Sequence, residues 1–246
     1  MDADVRAAVR ECVMSMTSRR MLGGAIVLLA VLAAGMARAA CDDPPAAGVN
    51  WSKCEMMKVV LSGDDLSGAD LSGADISRSD LRKARLTNAK LTGASLIRTH
   101  LGGADLSGAD LTKAELDRAD FEGANLTGAV LVKAEMPRAN LTKAKLVGAD
   151  LTKAELNRAV LADVDLSGAT LADAYLMRAN LRGARFGNAN VADANFDLAD
   201  LHGSDLSQSV GLVQTQLERA CGDSTTTLPP GISLPASWPC TVTGGD

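Results

Sequence analysis

Histidine and hydroxyl side chains are the residues of this sequence best suited to catalysis. The chain has two histidines, His100 and His202, and histidine is the usual general acid or base near neutral pH. Serine and threonine recur regularly, but a nucleophilic hydroxyl needs a base beside it, and no His or Lys is arranged as one. We therefore predict no catalytic residue and no enzymatic activity, and we interpret both histidines as solvated surface residues. The recurring hydroxyls include Ser67, Ser72, Thr112, Thr142 and Thr152.

Carboxylates follow one another at five-residue intervals early in the repetitive region. Asp65, Asp70, Asp75 and Asp80 resemble a calcium-binding series, because calcium takes several oxygen ligands. Known calcium loops, however, draw closely spaced ligands from a single loop, and this spacing does not supply them. Neither a zinc-type spacing nor a glycine-rich phosphate loop occurs in the sequence. We predict no metal and no cofactor.

Thiols form the last reactive group. Of five cysteines, Cys12 lies in the N-terminal segment, and Cys41, Cys54, Cys221 and Cys240 remain for the folded region. Four cysteines in an exported chain indicate two disulfides, with three pairings open. We favour Cys41 with Cys54 and Cys221 with Cys240, because one pair precedes the repeats and the other follows them. Free or metal-bound thiols are the alternative.

The N-terminus has the pattern of a secretory signal. Arg19 and Arg20 precede an apolar run from Met21 to Met36, and Ala37-Arg38-Ala39 follows as a small-x-small cleavage site. We predict a signal peptide over 1–39, cleavage before Ala40, and a periplasmic or secreted protein with no stable membrane insertion afterwards. An uncleaved anchor is the alternative, although the run is short of the ~20 residues of a spanning helix. A lipoprotein at Cys41 is disfavoured by the nearby Arg38.

The composition restricts the kind of core. The chain has 246 residues, only 2% aromatic residues, and a formal net charge of −5. Because large aromatic side chains usually supply much of a globular core, the apolar bulk here must come from leucine and alanine. The charge is neither the surplus of a nucleic-acid-binding protein nor that of a polyanionic tail, and we predict no nucleic-acid partner.

An apolar residue recurs every five positions from Leu61 to Leu206, and alanine usually stands two residues before it. A helix turns about 100° per residue, so a five-residue step would scatter these leucines around its axis. In an extended chain, residues two apart share a face, so Ala114 and Leu116 both point inward while Glu115 points outward. Short extended segments with a corner every five residues close into stacked coils.

The longer repeat shows how many corners make one coil. Residues 113–120, 133–140 and 153–160 share the pattern Lys-Ala-Glu followed by an arginine, so the pattern repeats every twenty residues and four units make one coil. One corner then carries an arginine in six successive coils, and Glu and Lys residues beside it are interpreted as a neutralising network. The arginines are Arg78, Arg98, Arg118, Arg138, Arg158 and Arg178.

Other columns agree with the same stacking. The outward column from Asp65 to Asp205 largely alternates in charge, as cross-strand neighbours in adjacent coils should. The adjoining corner, from Gly68 to Asn188, carries Gly and Asn, which tolerate positive φ. His100 and His202 would then lie five coils apart, about 24 Å at ~4.8 Å per coil, and could not cooperate.

Units such as LSGAD, LTKAE and LTGAS resemble the pentapeptide repeat proteins over about 59–210. The resemblance implies an all-β fold, a right-handed quadrilateral parallel β-helix. We expect an N-terminal cap over 40–58. We also expect a C-terminal cap helix and tail over 211–246, in which Leu212, Val213, Leu217 and Ala220 line one helix face. The alternative for this last segment is a homodimer interface, as in some cytosolic relatives.

Three functional hypotheses follow. The first is a non-enzymatic exported scaffold that presents a rigid surface to a protein or an envelope polymer, with the arginine column as a cationic comb. The second, implied by the family resemblance, is a DNA mimic that binds DNA gyrase; the net charge of −4 over 59–208 and the arginine column disfavour it. The third is a secreted effector.

Overall fold

A computed structural model of the protein describes residues 41–240. The backbone forms no long strands. Instead, single parallel bridges join residues twenty apart, beginning with Asn50 and Asp70 and continuing at every fifth residue. The fold is a right-handed quadrilateral β-helix, all-β as the sequence predicts.

Each five-residue unit contains one short extended segment and one tight turn. In the unit around Leu111, the amide of Ala114 donates to the carbonyl of Leu111 at 3.0 Å, and Lys113 has φ 57°. A four-residue turn with positive φ at its third residue is a type II turn. Leu116 then bonds to the next coil, since its amide donates to the Glu135 carbonyl at 2.6 Å.

The coil has four sides, which are numbered here. The outward residues of each side recur at intervals of twenty. They run from 50 to 210 on side 1, from 55 to 195 on side 2, from 60 to 200 on side 3 and from 65 to 205 on side 4.

The interior is filled by the apolar centres and the alanines. From Leu66 to Leu206 every centre side chain is at most 1% exposed. Three centres are phenylalanines, and Phe186 and Phe196 meet edge to face with ring centroids 6.1 Å apart. The prediction of a narrow core made of leucine and alanine agrees with this arrangement.

The regular coil starts earlier than the predicted boundary at residue 59. Trp51 occupies a centre position and is buried, Cys54 occupies an alanine position, and Glu55 bridges to Asp75. Residues 49–58 therefore belong to the first coil, although their sequence departs from the repeat. Among the described residues, 41–47 precede the coil, and the disulfide Cys41–Cys54 ties them to it.

The C-terminal segment contains no cap helix of the predicted kind. The only helix among residues 41–240 is the four-residue 3-10 helix Gln214–Leu217, which buries Leu217. The chain cannot continue as a helix because it returns to the ladder, where Cys221 pairs with Asp200 and Thr227 with Asp205. Trp238 then covers this end, donating its indole N–H to the Ala220 carbonyl at 2.8 Å. The structure joins Cys221 to Cys240, the pairing that the sequence favours.

Candidate interaction surface

Six arginines stack at the corner between sides 2 and 3, and we call this row the arginine edge. All six occupy the third position of a type II turn, with φ between 54° and 60°. Their backbones are fixed from coil to coil: the Arg118 amide donates to the Pro137 carbonyl at 3.0 Å, and the Arg138 amide to the Asn157 carbonyl at 3.0 Å. The arginine edge contains Arg78, Arg98, Arg118, Arg138, Arg158 and Arg178.

Most of these guanidinium groups are unpaired. Within residues 41–240, the side chains of Arg78, Arg98, Arg138 and Arg178 form neither an ion pair nor a hydrogen bond, and all four residues are exposed. Arg118 approaches its own neighbour Asp117 at 4.0 Å, a distance at which an exposed pair contributes little. Arg78, Arg98, Arg138 and Arg178 therefore present their positive charge to solvent.

Side 2 places two further rows of like charge beside the arginine edge. Glu115 bridges to Glu135 and Glu135 to Glu155, so three exposed carboxylates stack in register. The lysine edge, Lys113, Lys133 and Lys153, follows the opposite border of side 2. Within the described chain, none of these glutamates makes an ion pair with the lysine edge, Arg118 or Arg138.

Sides 3 and 4 behave differently, because their arginines are paired within the fold. On side 4, Arg185 contacts Asp165 in the adjacent coil at 2.9 Å, and Arg85 approaches Asp65 at 3.7 Å. This is the alternation of charge that the sequence predicts for the column. On side 3, Arg82 contacts the carboxylate of Asp80 at 2.6 Å. Among the described residues, the unpaired arginines are thus Arg78, Arg98, Arg138 and Arg178, whereas the arginines of sides 3 and 4 named above are paired.

Aspartates at outward positions are held ionised by the turns that follow them. The hydrogen bond from the Arg82 side chain lowers the pKa of Asp80 to about 2. The Ser72 side chain lowers the pKa of Asp70 in the same direction. Typically the backbone N–H two residues on also donates, as from Ser67 to Asp65 at 3.0 Å. These carboxylates stabilise corners and are already occupied by donors of the chain.

The two histidines have different surroundings. His100 is exposed on side 3, as expected. The prediction of a solvated residue is wrong for His202, whose Nδ1 lies 2.5 Å from the Asp200 carboxylate and whose Nε2 lies 3.1 Å from the Cys240 carbonyl oxygen. The cause is the returning tail, which covers His202 and which the repeat pattern cannot indicate.

Metal-binding clusters and membrane-spanning helices are both absent from residues 41–240. The four early aspartates lie on four different sides, and no group of three or more His, Cys, Asp or Glu residues between 41 and 240 is placed to hold a metal ion. No helix in that range is long and apolar enough to cross a bilayer. A groove of about 430 Å³ lies between the last coil and the 3-10 helix, lined by residues that include Phe196, Val213 and Arg219.

The repeat itself identifies the protein class. The sequence profile described as Pentapeptide repeats matches this chain in eight copies, over residues 54–93, 89–128, 119–158, 134–173 and 174–210. The chain belongs to the pentapeptide repeat family. Comparison with curated proteins gave no significant match.

Solved structures of pentapeptide repeat proteins are also similar to this chain. HetL of the cyanobacterium Nostoc sp. strain PCC 7120, involved in heterocyst differentiation regulation, is 34% identical over 72% of this chain and 85% of its own, with a TM-score of 0.46. A pentapeptide repeat protein of the Arabidopsis thaliana thylakoid lumen is 36% identical over 40% and 69%, with a TM-score of 0.30. The fluoroquinolone resistance protein QnrB1 is 19% identical over 74% and 91%, with a TM-score of 0.42.

Sequence reasoning located the arginine edge but missed its backbone conformation. Positive φ was expected at the Gly and Asn corner after side 4, where Gly128 has φ 65°. In this pentapeptide repeat protein the lysine and arginine edges adopt it as well. The signal was available, since every corner has the same five-residue spacing and therefore needs the same turn. Asn188 is an exception, because Gly187 takes the positive φ in that turn.

Proposed function

We propose that this pentapeptide repeat protein is an exported, non-enzymatic scaffold that binds a protein or an envelope polymer. The observation that carries the proposal is the surface formed by side 2 and its two borders. Over residues 113–158 it presents rows of lysine, glutamate and arginine that the backbone ladder holds in place. A surface that is rigid before binding loses little conformational entropy when a partner docks.

Export is supported by the cysteines. Cys41–Cys54 and Cys221–Cys240 both form disulfides, at either end of the β-helix. Disulfides persist in oxidising compartments and are rare in the cytosol. The signal-like segment over 1–39, which lies outside the described residues, points the same way. A periplasmic or secreted location is therefore part of the proposal.

Site-specific photo-crosslinking in the cell envelope tests this function. A photoreactive amino acid replaces Glu135 on side 2, and the matched control replaces Lys145, which is exposed on the opposite side 4. We expect a discrete crosslinked product from position 135 and none from position 145. A Leu116→Asp chain, which buries a charge in the core, should lose the product.

Two results would contradict the proposal. Equal crosslinking from positions 135 and 145 would show that side 2 is not the binding surface. Capture of gyrase subunits by the cytosolic chain would favour the DNA-mimic hypothesis instead. Gyrase recovery is not expected, because the arginine edge interrupts any continuous negative stripe.

A further inference from the structure

Side 2 lacks a rung that the other three sides have. Its last bridge joins Tyr175 to Asn195, and position 215, where the next rung would lie, falls in the 3-10 helix Gln214–Leu217. The chain rejoins the ladder on the following two sides, at Cys221 and Thr227. The C-terminal end of side 2 is therefore an open strand edge.

The backbone of this edge has a donor without an acceptor. One coil below, the Leu176 amide donates to the Asn195 carbonyl at 2.9 Å. The equivalent amide of Phe196 has no acceptor among residues 41–240, whereas the Leu198 amide in the same coil reaches the Arg219 carbonyl at 3.0 Å. An unpaired edge of this kind is a template for pairing with another strand.

The side chain of Gln216 replaces part of the missing strand. Its amide nitrogen donates to the Ala194 carbonyl at 2.8 Å and to the Val191 carbonyl at 2.9 Å. In the coil below, the matching Ala174 carbonyl accepts from the backbone amide of Asn195 instead. A side chain thus satisfies the acceptor of the edge, but no group of the described chain satisfies its donor.

The edge faces the groove of about 430 Å³ between the last coil and the 3-10 helix. The lining includes three carboxylates and one cation, which belong to Asp193, Asp197, Glu218 and Arg219. Asp197 pairs with Arg219 at 3.1 Å, whereas Asp193 and Glu218 make no ion pair within residues 41–240. The groove therefore carries an excess of negative charge, which favours a basic occupant.

Exposed apolar side chains cluster around the same edge. Tyr175, which is 48% exposed, lies directly below Asn195 on side 2. Met177 and Leu198 are exposed at the adjoining corner, and Val213 is exposed in the lining of the groove. Apolar clusters rimmed by polar residues mark surfaces that bind other proteins.

We propose that the open edge of side 2 binds an extended segment of a partner protein that is both basic and apolar and that adds the missing rung. A carbonyl of the segment accepts from the Phe196 amide, and its lysine or arginine side chains lie against Asp193 and Glu218. Its apolar side chains contact the exposed cluster. In such strand addition, main-chain hydrogen bonds supply affinity and side-chain contacts supply specificity. The site is additional to the scaffold surface over residues 113–158.

Binding of a synthetic peptide to the intact, disulfide-bonded protein tests the assignment. The peptide TKVKVKVT alternates basic and apolar residues, and TEVEVEVT is its charge-reversed control. We expect the lysine peptide to slow amide hydrogen exchange at Phe196 by about tenfold, measured by NMR, because the amide gains an acceptor. The amide of Leu198, which is already paired within the chain, should exchange at an unchanged rate.

A pair of matched variants tests the role of the charges. The variant combines Asp193→Asn with Glu218→Gln, and the control combines Asp163→Asn with Asp173→Asn. Each removes two carboxylates, and the three aspartates share a positive φ that asparagine also tolerates, so the fold is retained. We expect the variant to bind the lysine peptide about fivefold more weakly and the control within about twofold of the parent.

Several results would overturn the assignment. These are no saturable binding of the lysine peptide, equal binding of the glutamate peptide, equal losses in the two variants, or binding that leaves exchange at Phe196 unchanged. Protection of Phe196 that rises with protein concentration alone would assign the edge to a second copy of the chain.

The outcome is separable from that of the scaffold proposal. A protein that crosslinks from Glu135 and ignores the lysine peptide keeps the scaffold surface and loses the strand-addition site. A protein that crosslinks equally from Glu135 and Lys145 but protects Phe196 when the peptide is added shows the reverse.

Discussion

The hydroxyl of Thr99 donates a hydrogen bond to the carbonyl oxygen of Ile76 in the preceding coil, at 3.1 Å. Thr99 is completely buried at a position that is alanine in most units. In the turn that begins at Ile76 the usual amide donor does not reach this carbonyl, so the hydroxyl replaces it. Ser79 acts similarly one coil earlier, where its hydroxyl accepts from the Val59 amide at 3.1 Å. Polar residues in the interior therefore satisfy specific backbone groups.

Replacing Thr99 by valine should lower the free energy of unfolding by about 1–3 kcal/mol. The side chain keeps its shape, but the Ile76 carbonyl is left buried without a donor. Urea denaturation followed by circular dichroism measures the change. Thr87→Val is the control, because Thr87 is half-buried and its hydroxyl has no partner among the described residues. Equal stability of the two variants would contradict the interpretation.

Replacing Arg118 by glycine should stabilise the protein relative to Arg118→Ala by about 1 kcal/mol. Both variants remove the guanidinium group, but only glycine adopts φ 54° without crowding. The two midpoints in urea give the comparison. If the alanine variant is the more stable, backbone strain at the arginine edge is not significant.

Truncating Leu116 to alanine should cost about 2–5 kcal/mol. Its side chain is fully buried, and backbone pairing with the adjacent coil limits how far the cavity can collapse. Thermal unfolding provides the measurement. The neighbouring Glu115→Ala should change stability by less than about 0.5 kcal/mol, and a comparable loss there would contradict the assignment of inward and outward positions.

Removing the C-terminal disulfide should destabilise the tail. The pair Cys221–Cys240 is separated by 19 residues, and a loop of that size corresponds to about 3 kcal/mol in the chain-entropy account. Because Trp238 packs on the last coil, we expect the double variant Cys221→Ala, Cys240→Ala to expose residues 221–240 first. Amide hydrogen exchange should then accelerate there and not around Leu116. Uniform acceleration would show that the cap and the rod unfold together.

Acid should weaken the fold through its turn aspartates. The folded pKa of Asp80 is about 2, against a usual value of 3.8, because the Arg82 side chain donates to it. A carboxyl whose pKa is lower in the folded state contributes stability above about pH 4 and loses it as the pH falls towards 2. Urea unfolding at pH 6, 4 and 2.5 should show a plateau and then a decline.

The matched variant for this experiment is Asp80→Asn, which cannot titrate. Its stability should decline less steeply below pH 4 than that of the parent protein. Asp205, whose pKa is lowered by the Thr227 and Ser207 side chains, remains in both proteins. A decline of equal slope would mean that the Asp80–Arg82 pair does not contribute to the acid sensitivity.

The sequence was sufficient to predict the β-helix, because the repeat period determines which residues stack on one another in successive coils. Glu115 and Glu135, twenty residues apart, form a parallel bridge as that period requires. Prediction failed where the repeat degenerates. Trp51 and Met56 occupy centre positions without a Leu-like pattern around them, and residues 211–240 fold back through long-range contacts such as Trp238 with Ala220.

The arginine edge was only partly predictable, for a different physical reason. The period of twenty determines which residues stack on one another, so the six arginines of the edge could be identified from the sequence. Whether Arg98 or Arg138 is paired depends on side-chain directions at the corner, which spacing does not determine. Arg185 shows the contrast, since its position on a flat side brings it to Asp165.

The twenty-residue coil has a consequence for how such a chain changes in length. Deleting residues 121–140 would join Asp120 to Leu141 and shorten the rod by one coil, with every column above the junction still in line. Deleting only five residues would rotate all later units by a quarter turn about the axis of the coil. The later arginines would then lie at a different corner from the earlier ones. Natural length variants of this protein should therefore differ in multiples of twenty residues wherever the arginine edge is retained.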